Sequence, residues 1–398
     1  MTEQINYLME TYKRLPISFE KGEGIWLFDK NGNKYLDALS GIAVNTLGHN
    51  HPGLIKAITT QVSKLIHVSN YYNIEEQSLL AEKLVKFSKL SSVFFCNSGC
   101  EANEAAIKMA RLHANKLNID NSNIIVMEGG FHGRTMGTLS ASAGRNYQAG
   151  FEPLVSGFIR VPFDDVEAIS IIASKKNKVS AIFVEPIQGE GGINVPKEFE
   201  QYLKKLRKIC DENNWLLIFD EVQCGIGRTG KWFAHQHSSI KPDVMTLAKG
   251  LGSGIPIGAC VANKTATQLM QPGKHGSTFG GNPLACSAGI TTLNIIEEKS
   301  LVKNAANQGL LITKLLTEKF KNNKHVVSIR SLGLMIGIEL SLPCSEVVNI
   351  ALEKKLLINV TSENVIRLLP SLTINETETK VLCERLINVI EIFLKTYE

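Results

Sequence analysis

The feature that most restricts the fold of this 398-residue chain is an alternation running from about residue 90 to 250. Five short apolar runs, Val93–Cys96, Ile124–Met127, Ala181–Val184, Leu216–Phe219 and Val244–Thr246, each read as a buried strand, with amphipathic segments between them. In the segment that starts near Lys197, residues Phe199, Tyr202, Leu203, Leu206, Ile209 and Cys210 recur at helical spacing on one face. Apolar strands separated by helices predict an α/β chain, with a mainly parallel sheet covered by helices on both sides. Sheets of this kind place their ligands beyond the carboxyl ends of the strands. Chemistry is therefore expected in the residues that directly follow the apolar runs.

The two ends of the chain read differently. Residues 20–40 predict a hairpin that turns at Asn31-Gly32. After residue 290 a long helical stretch precedes short strands at Val326–Ile329, Leu334–Leu340 and Ile366–Leu368, and a last helix begins near Glu376. This α+β pattern predicts a small domain assembled from residues 1–60 and 291–398, flanking a large ligand-binding domain over 61–290.

Composition narrows the function classes. The apolar runs fall well short of the ~20 residues that a membrane span needs, so no membrane association is expected. The first residues lack a basic stretch followed by an apolar one, so no secretory signal is read there. Eight cysteines without a C-x-x-C pair read as reduced thiols, which predicts a cytoplasmic protein. The net charge is only +5, and the basic clusters Lys175/Lys176/Lys178 and Lys204/Lys205/Arg207/Lys208 read as solvated faces rather than nucleic-acid contacts. The His49/His51 and His235/His237 pairs lack a metal-site context, so no metal is expected.

Four segments carry candidate chemistry. Asn97-Ser98-Gly99-Cys100 opens a helix, where free N–H groups and the Ser98 hydroxyl suit an anion; a plain N-cap is the alternative. Phe131-His132-Gly133-Arg134 offers an aromatic to stack on a flat ring and an arginine to fork onto a carboxylate, or else a surface loop. Asp220, at a buried strand tip, needs a cation or a protonated nitrogen; an internal ion pair would also satisfy it. Lys249 sits among small residues at another tip, where burial would free its amine as a nucleophile unless it snorkels to solvent. Farther on, Ser277-Thr278 with neighbouring glycines suits a phosphate. Jointly these are a phosphate cradle, a stacking aromatic, an acid for a ring nitrogen and an amine for a Schiff base, which are the requirements of pyridoxal 5'-phosphate.

With these residues in order, the chain resembles the class III family of pyridoxal-phosphate aminotransferases, from Gly22-Glu23-Gly24 to Arg367-Leu368-Leu369-Pro370. The most specific part is Asp220-Glu221-Val222-Gln223 followed, 29 residues after its aspartate, by Ala248-Lys249-Gly250. The resemblance implies the type I aminotransferase fold, working as a homodimer with sites at the subunit interface. Ser98, Gly99 and Cys100 would hold the phosphate, joined by Thr278 of the other subunit. Phe131 would stack on the ring, Asp220 would meet its nitrogen, and Glu221, Val222 and Gln223 would lie against the cofactor, with Gln223 on the 3'-oxygen and Lys249 as the imine-forming amine.

The resemblance also implies substrates. Arg134 with Ser277 would take a substrate carboxylate, and Glu190 with Arg367 resembles a family switch in which the glutamate covers the arginine until 2-oxoglutarate enters. Ile42 stands where ornithine aminotransferases resemble one another in having a tyrosine, which favours an acylated ornithine. The implied reaction moves the δ-amino group of N2-acetyl-L-ornithine to 2-oxoglutarate in arginine biosynthesis. Succinylornithine, succinyl-diaminopimelate or free ornithine as donor, and an aminomutase of the glutamate-1-semialdehyde type, are the alternatives.

Overall fold

In a computed structural model, residues 7–175 and 178–397 are described. Residues 1–6 and Lys176 of the first basic cluster lie outside them. The second cluster lies on the helix Phe199–Asn213, where Lys204, Arg207 and Lys208 pair with Glu200, Asp211 and Glu212 one turn away.

The alternation between residues 90 and 250 builds a seven-stranded sheet in the order Ser92–Cys96, Gly258–Ala262, Val244–Leu247, Leu216–Asp220, Val179–Val184, Asn123–Met127, Phe158–Val161. Gly258–Ala262 runs antiparallel to both of its neighbours, and every other adjacent pair is parallel. The period of two along each strand decides which layer a side chain joins. Ile124, Val126, Ala181, Phe183, Leu216 and Ile218 face the helix Gly99–Lys116 through Ala106, Ile107 and Met109. Ile125, Met127, Ile182, Val184, Leu217 and Phe219 face the opposite layer, which includes Tyr202, Leu203 and Leu206 of the helix Phe199–Asn213. Both faces are covered, so these strands are apolar throughout rather than alternating.

Two strands of this sheet were not legible as apolar runs. Phe158–Val161 is an edge strand that leaves Arg160 exposed. Gly258–Ala262 is fully buried but, apart from Val261, built of small residues that carry little strand propensity.

The predicted hairpin forms from Trp26–Asp29 and Lys34–Asp37, with Asp29 Oδ1 accepting from Asn31 N at 2.9 Å and Asn33 N at 2.8 Å to fix the turn. Phe19–Glu23 adds to it on one side, and Leu356–Leu357, from the far end of the chain, pairs in parallel with Lys34–Asp37 on the other. A separate antiparallel sheet follows the order Val326–Leu332, Met335–Leu340, Val365–Leu368, Asn359–Thr361. It packs against Leu301–Phe320, and that helix against the closing helix Glu376–Lys395, whose cap is Asn375. Among the described residues, no helix is long and apolar enough to cross a membrane.

Candidate active site

The carboxyl ends of five parallel strands and the entry to the antiparallel one converge on a cavity of about 450 Å³. Each tip contributes: Ser98, Gly99 and Cys100 after the first strand, Phe131–Arg134 after the second, Glu185 after Val179–Val184, Asp220 with Val222 and Gln223, and Lys249. Gly254–Ile257, leading into the antiparallel strand, close the same side.

Ser98 caps the helix Gly99–Lys116, its Oγ accepting from Glu101 N at 3.2 Å. The Glu101 carboxylate folds back to accept from Asn97 N at 2.8 Å and Asn97 Nδ2 at 3.0 Å. A Cβ on Gly99 would lie 2.7 Å from Val222 Cγ1, so only glycine lets the cap pass this close to the Asp220 strand tip.

Asp220 is 3% exposed, and its charge is met from three directions. Oδ2 accepts from Asn103 Nδ2 at 2.8 Å and lies 2.8 Å from His132 Nδ1, while Oδ1 accepts from Val222 N at 3.0 Å. His132 is itself stacked on Phe183, with ring centroids 4.0 Å apart. Oδ1 has one partner and keeps a second lone pair for a protonated nitrogen in the cavity.

Lys249 has φ +44°, a left-handed backbone that places its side chain at the strand tip. Burial lowers its pKa, with Arg367 adding to the effect and the nearby carboxylates Glu190, Asp220 and Glu185 opposing it. A larger neutral fraction makes the amine a better nucleophile.

Glu185, at a tip that sequence reasoning passed over, accepts from Phe131 N at 2.9 Å and from Gly189 N at 3.0 Å. Burial, reinforced by the charge of Asp220, pushes its pKa up from 4.5 to about 7. The folded protein thus holds this proton more tightly than the unfolded chain, so the contribution to stability is full below about 4.5 and is lost as pH rises to about 7. Glu185→Gln is expected to flatten the melting temperature across that interval; a variant that keeps the parent's slope there would assign the proton to another group.

Arg134 lines the cavity with its guanidinium 4.5 Å from the Tyr147 ring centroid and 5.7 Å from that of Phe131. Arg367 is 1% exposed and bonds Glu190 at 2.6 Å, Asn359 Oδ1 at 3.1 Å and Gln223 Oε1 at 3.3 Å. Burial works against ionisation of Glu190, but Arg367, with help from Lys249 and Gln223, holds its carboxyl below the usual range. Gln223 joins this pair to the cavity.

Several expected site residues lie elsewhere. Glu221 turns to the far side of the strand tip, where its carboxylate accepts from Ala234 N at 2.5 Å and His235 N at 3.0 Å and meets His235 Nδ1 at 2.8 Å. Alternation explains this, since Asp220 and Glu221 cannot both face the cavity. Ile42 is half-buried in an apolar cluster with Ala43, Ile187 and Ile193, and it is Val44 that lines the cavity. Ser277 Oγ bonds Asn97 Nδ2 at 3.2 Å and Gly280 N at 3.0 Å, and Thr278 is exposed. Neither lines the cavity of this chain. The paired histidines have ordinary roles: His49 meets Asp37 at 2.8 Å, His51 caps a helix, His235 serves Glu221, and His237 Nε2 lies 3.1 Å from Thr229 O.

Comparison with known proteins gives a match to the family model Aminotransferase class-III over residues 7–390. The chain is 54% identical over 392 residues to the acetylornithine aminotransferase of Nitrosomonas europaea, covering 98% of this chain and 99% of that one. The crystal structure of acetylornithine aminotransferase from Elizabethkingia anophelis superposes with TM-score 0.86 at 33% identity, over 97% of both chains. The ornithine aminotransferase of Toxoplasma gondii crystallised with oxidised glutathione, which has PLP at partial occupancy in its active site, superposes with TM-score 0.93 at 32% identity, over 98% of this chain and 93% of that one.

Proposed function

Because this chain belongs to the class III aminotransferases and shares their fold, we propose that it moves the δ-amino group of N2-acetyl-L-ornithine to 2-oxoglutarate. The products are N-acetyl-L-glutamate 5-semialdehyde and L-glutamate, in cytoplasmic arginine biosynthesis. One observation carries the reading: Lys249 and Asp220, from different strand tips, line a single cavity that also holds a capped helix N-terminus and an aromatic ring.

The cavity fits pyridoxal 5'-phosphate. The first turn of Gly99–Lys116 offers unpaired N–H groups and the helix dipole to a phosphate, beside Ser98 and Cys100. Asp220 has acceptor capacity left for a ring nitrogen, Phe131 offers a face for stacking, and Lys249 offers a partly desolvated amine. When bound, the cofactor supplies an electron sink for the carbanion formed beside the amine nitrogen.

The chain's own residues do the rest. Lys249 would hold the cofactor between turnovers, and its Nζ would take and return the migrating proton. Asp220, held by Asn103 and His132, would keep the ring nitrogen protonated. Arg134 receives the carboxylate of the amino donor while Glu190 covers Arg367; Arg367 is then released to bind the α-carboxylate of 2-oxoglutarate.

We place the working unit as a homodimer. Leu65, Ile66, Tyr71, Tyr72 and Phe279 are exposed, and Asn70 Nδ2 ties their two segments together through Ser277 O at 3.1 Å and Gly280 O at 3.0 Å. An apolar patch of this kind marks an interface. Thr278 is exposed next to Phe279 of this patch, which supports a role for it at the partner's phosphate site.

The test compares donors. With 2-oxoglutarate as acceptor, acetylornithine should form glutamate at a kcat/KM at least about tenfold above free ornithine, whose α-ammonium would be left unpaired. Preference for free ornithine would replace the donor assignment. Isomerisation of an amino aldehyde without glutamate formation would replace the reaction.

A further inference from the structure

Glu190 and Arg367 are gripped from outside the cavity by side chains of the C-terminal sheet. Thr361 donates a short hydrogen bond to Glu190 O, and Ser362 Oγ approaches the same carbonyl at 3.4 Å. Arg330 Nε donates to Gly192 O at 3.1 Å and Ile193 O at 2.9 Å, and its Nη2 donates to Gly192 O at 2.6 Å. The rest of that guanidinium is tied to Ser328 Oγ and the Glu339 carboxylate. Asn194 Nδ2 holds Gly191 O at 2.8 Å, and Glu185 holds Gly189 N. Four consecutive carbonyls, from residue 190 to residue 193, thus have fixed partners. The Glu190 side chain is 24% exposed and reaches toward Arg367.

The strand Asn359–Thr361 links the two halves of the pair. Asn359 stands opposite Arg367 in the sheet register and accepts from its Nε, while Thr361 holds the carbonyl of Glu190. Residues two apart share one face of a strand, so a single rigid segment sets the separation between the arginine and the backbone that carries the glutamate.

Resting on the reading of Glu190 and Arg367 as a switch, we propose that Thr361 and Arg330 are positioning residues that pin the 189–193 loop, so that the switch opens by rotation of the Glu190 side chain on a stationary backbone. Loosening the loop lets the carboxylate drift from Arg367. That leaves a buried positive charge uncovered when the acylated amine must bind, whereas 2-oxoglutarate, which needs Arg367 free, is little affected.

The test separates the half-reactions by single-turnover kinetics on the holoenzyme. Thr361→Val keeps shape and removes the donor. It should lower kcat/KM for acetylornithine by about fivefold to tenfold, the worth of one buried hydrogen bond, with the 2-oxoglutarate half within about twofold of the parent. Thr361→Ser, which restores the hydroxyl, should restore the donor half. Arg330→Lys, which keeps the charge without the fork, should show the same split and serves if Thr361→Val does not fold. A merely structural role would lower the melting temperature and slow both halves together, and that result overturns the proposal. Glu190→Gln is the control. If it splits the halves and neither pinning variant does, the pinning is wrong and the switch stands. If Glu190→Gln itself leaves the halves unsplit, the switch reading fails, and the proposal falls with it.

Discussion

Lys249→Ala is expected to reduce glutamate formation by about 10⁴-fold, the upper end for loss of a positioned acid–base group, because the same side chain is also the proposed nucleophile. The structure explains why no neighbour replaces it. Of the nearby basic side chains, Arg134 packs its guanidinium over the Tyr147 ring and His132 is turned to Asp220. Arg367 is moreover engaged by Glu190, Gln223 and Asn359. Lys249→Arg keeps the positive charge and should lose as much, which separates nucleophilic and proton-transfer roles from a simple electrostatic one. The measurement is initial rate with acetylornithine and 2-oxoglutarate at saturation, beside a melting curve showing that the variant is folded. Activity within about tenfold of the parent in either variant would remove Lys249 from the mechanism.

The second large effect is expected at Asp220. Asp220→Asn removes the charge proposed to keep the ring nitrogen protonated and should cost about 10²–10³-fold in turnover, the range for loss of a preorganised electrostatic group. It also disturbs the network behind the carboxylate. Oδ1 and Oδ2 both face donors, Val222 N on one side and Asn103 with His132 on the other, so an amide NH₂ must oppose one of them. Turnover is read with excess cofactor, so that weakened binding is not mistaken for slower chemistry. A variant that keeps more than about a tenth of the parent's turnover would place the ring nitrogen elsewhere.

Legibility from sequence follows a physical divide. The five strands that were read are short apolar runs, four of them buried on both faces, and burial of that kind leaves a mark in any window of sequence. Gly258–Ala262 is as deeply buried but carries small residues, and Phe158–Val161 has only one covered edge, so neither stands out from its surroundings. The rule that ligands lie beyond strand tips found four of the five tips on the cavity; it applied equally to Glu185, which immediately follows Val179–Val184. Alternation would have turned Glu221 away from Asp220, because both lie at one strand end.

Other features have no local signature. Asn103 lies within an Ala-rich helix and reads as an unremarkable polar residue, yet it is aimed at Asp220 across 117 positions of chain. The grip of Thr361 on Glu190 spans 171 positions and that of Arg330 on Gly192 spans 138. Pairings of this kind exist only after the sheets have packed. Thr278 belongs to another class again, since its proposed role depends on a second copy of the chain.

That Lys249 and Asp220 grip opposite ends of one pyridoxal phosphate is the proposal on which every other residue role depends. Its most direct test is reduction of the resting holoenzyme with borohydride, followed by proteolysis and mass spectrometry, with the parent and Asp220→Asn compared. The cofactor's mass is expected on the peptide that contains Lys249 and on no other lysine peptide, with a shifted visible absorbance in Asp220→Asn before reduction. The cofactor's mass on a different lysine, or an absorbance indifferent to Asp220, would contradict it.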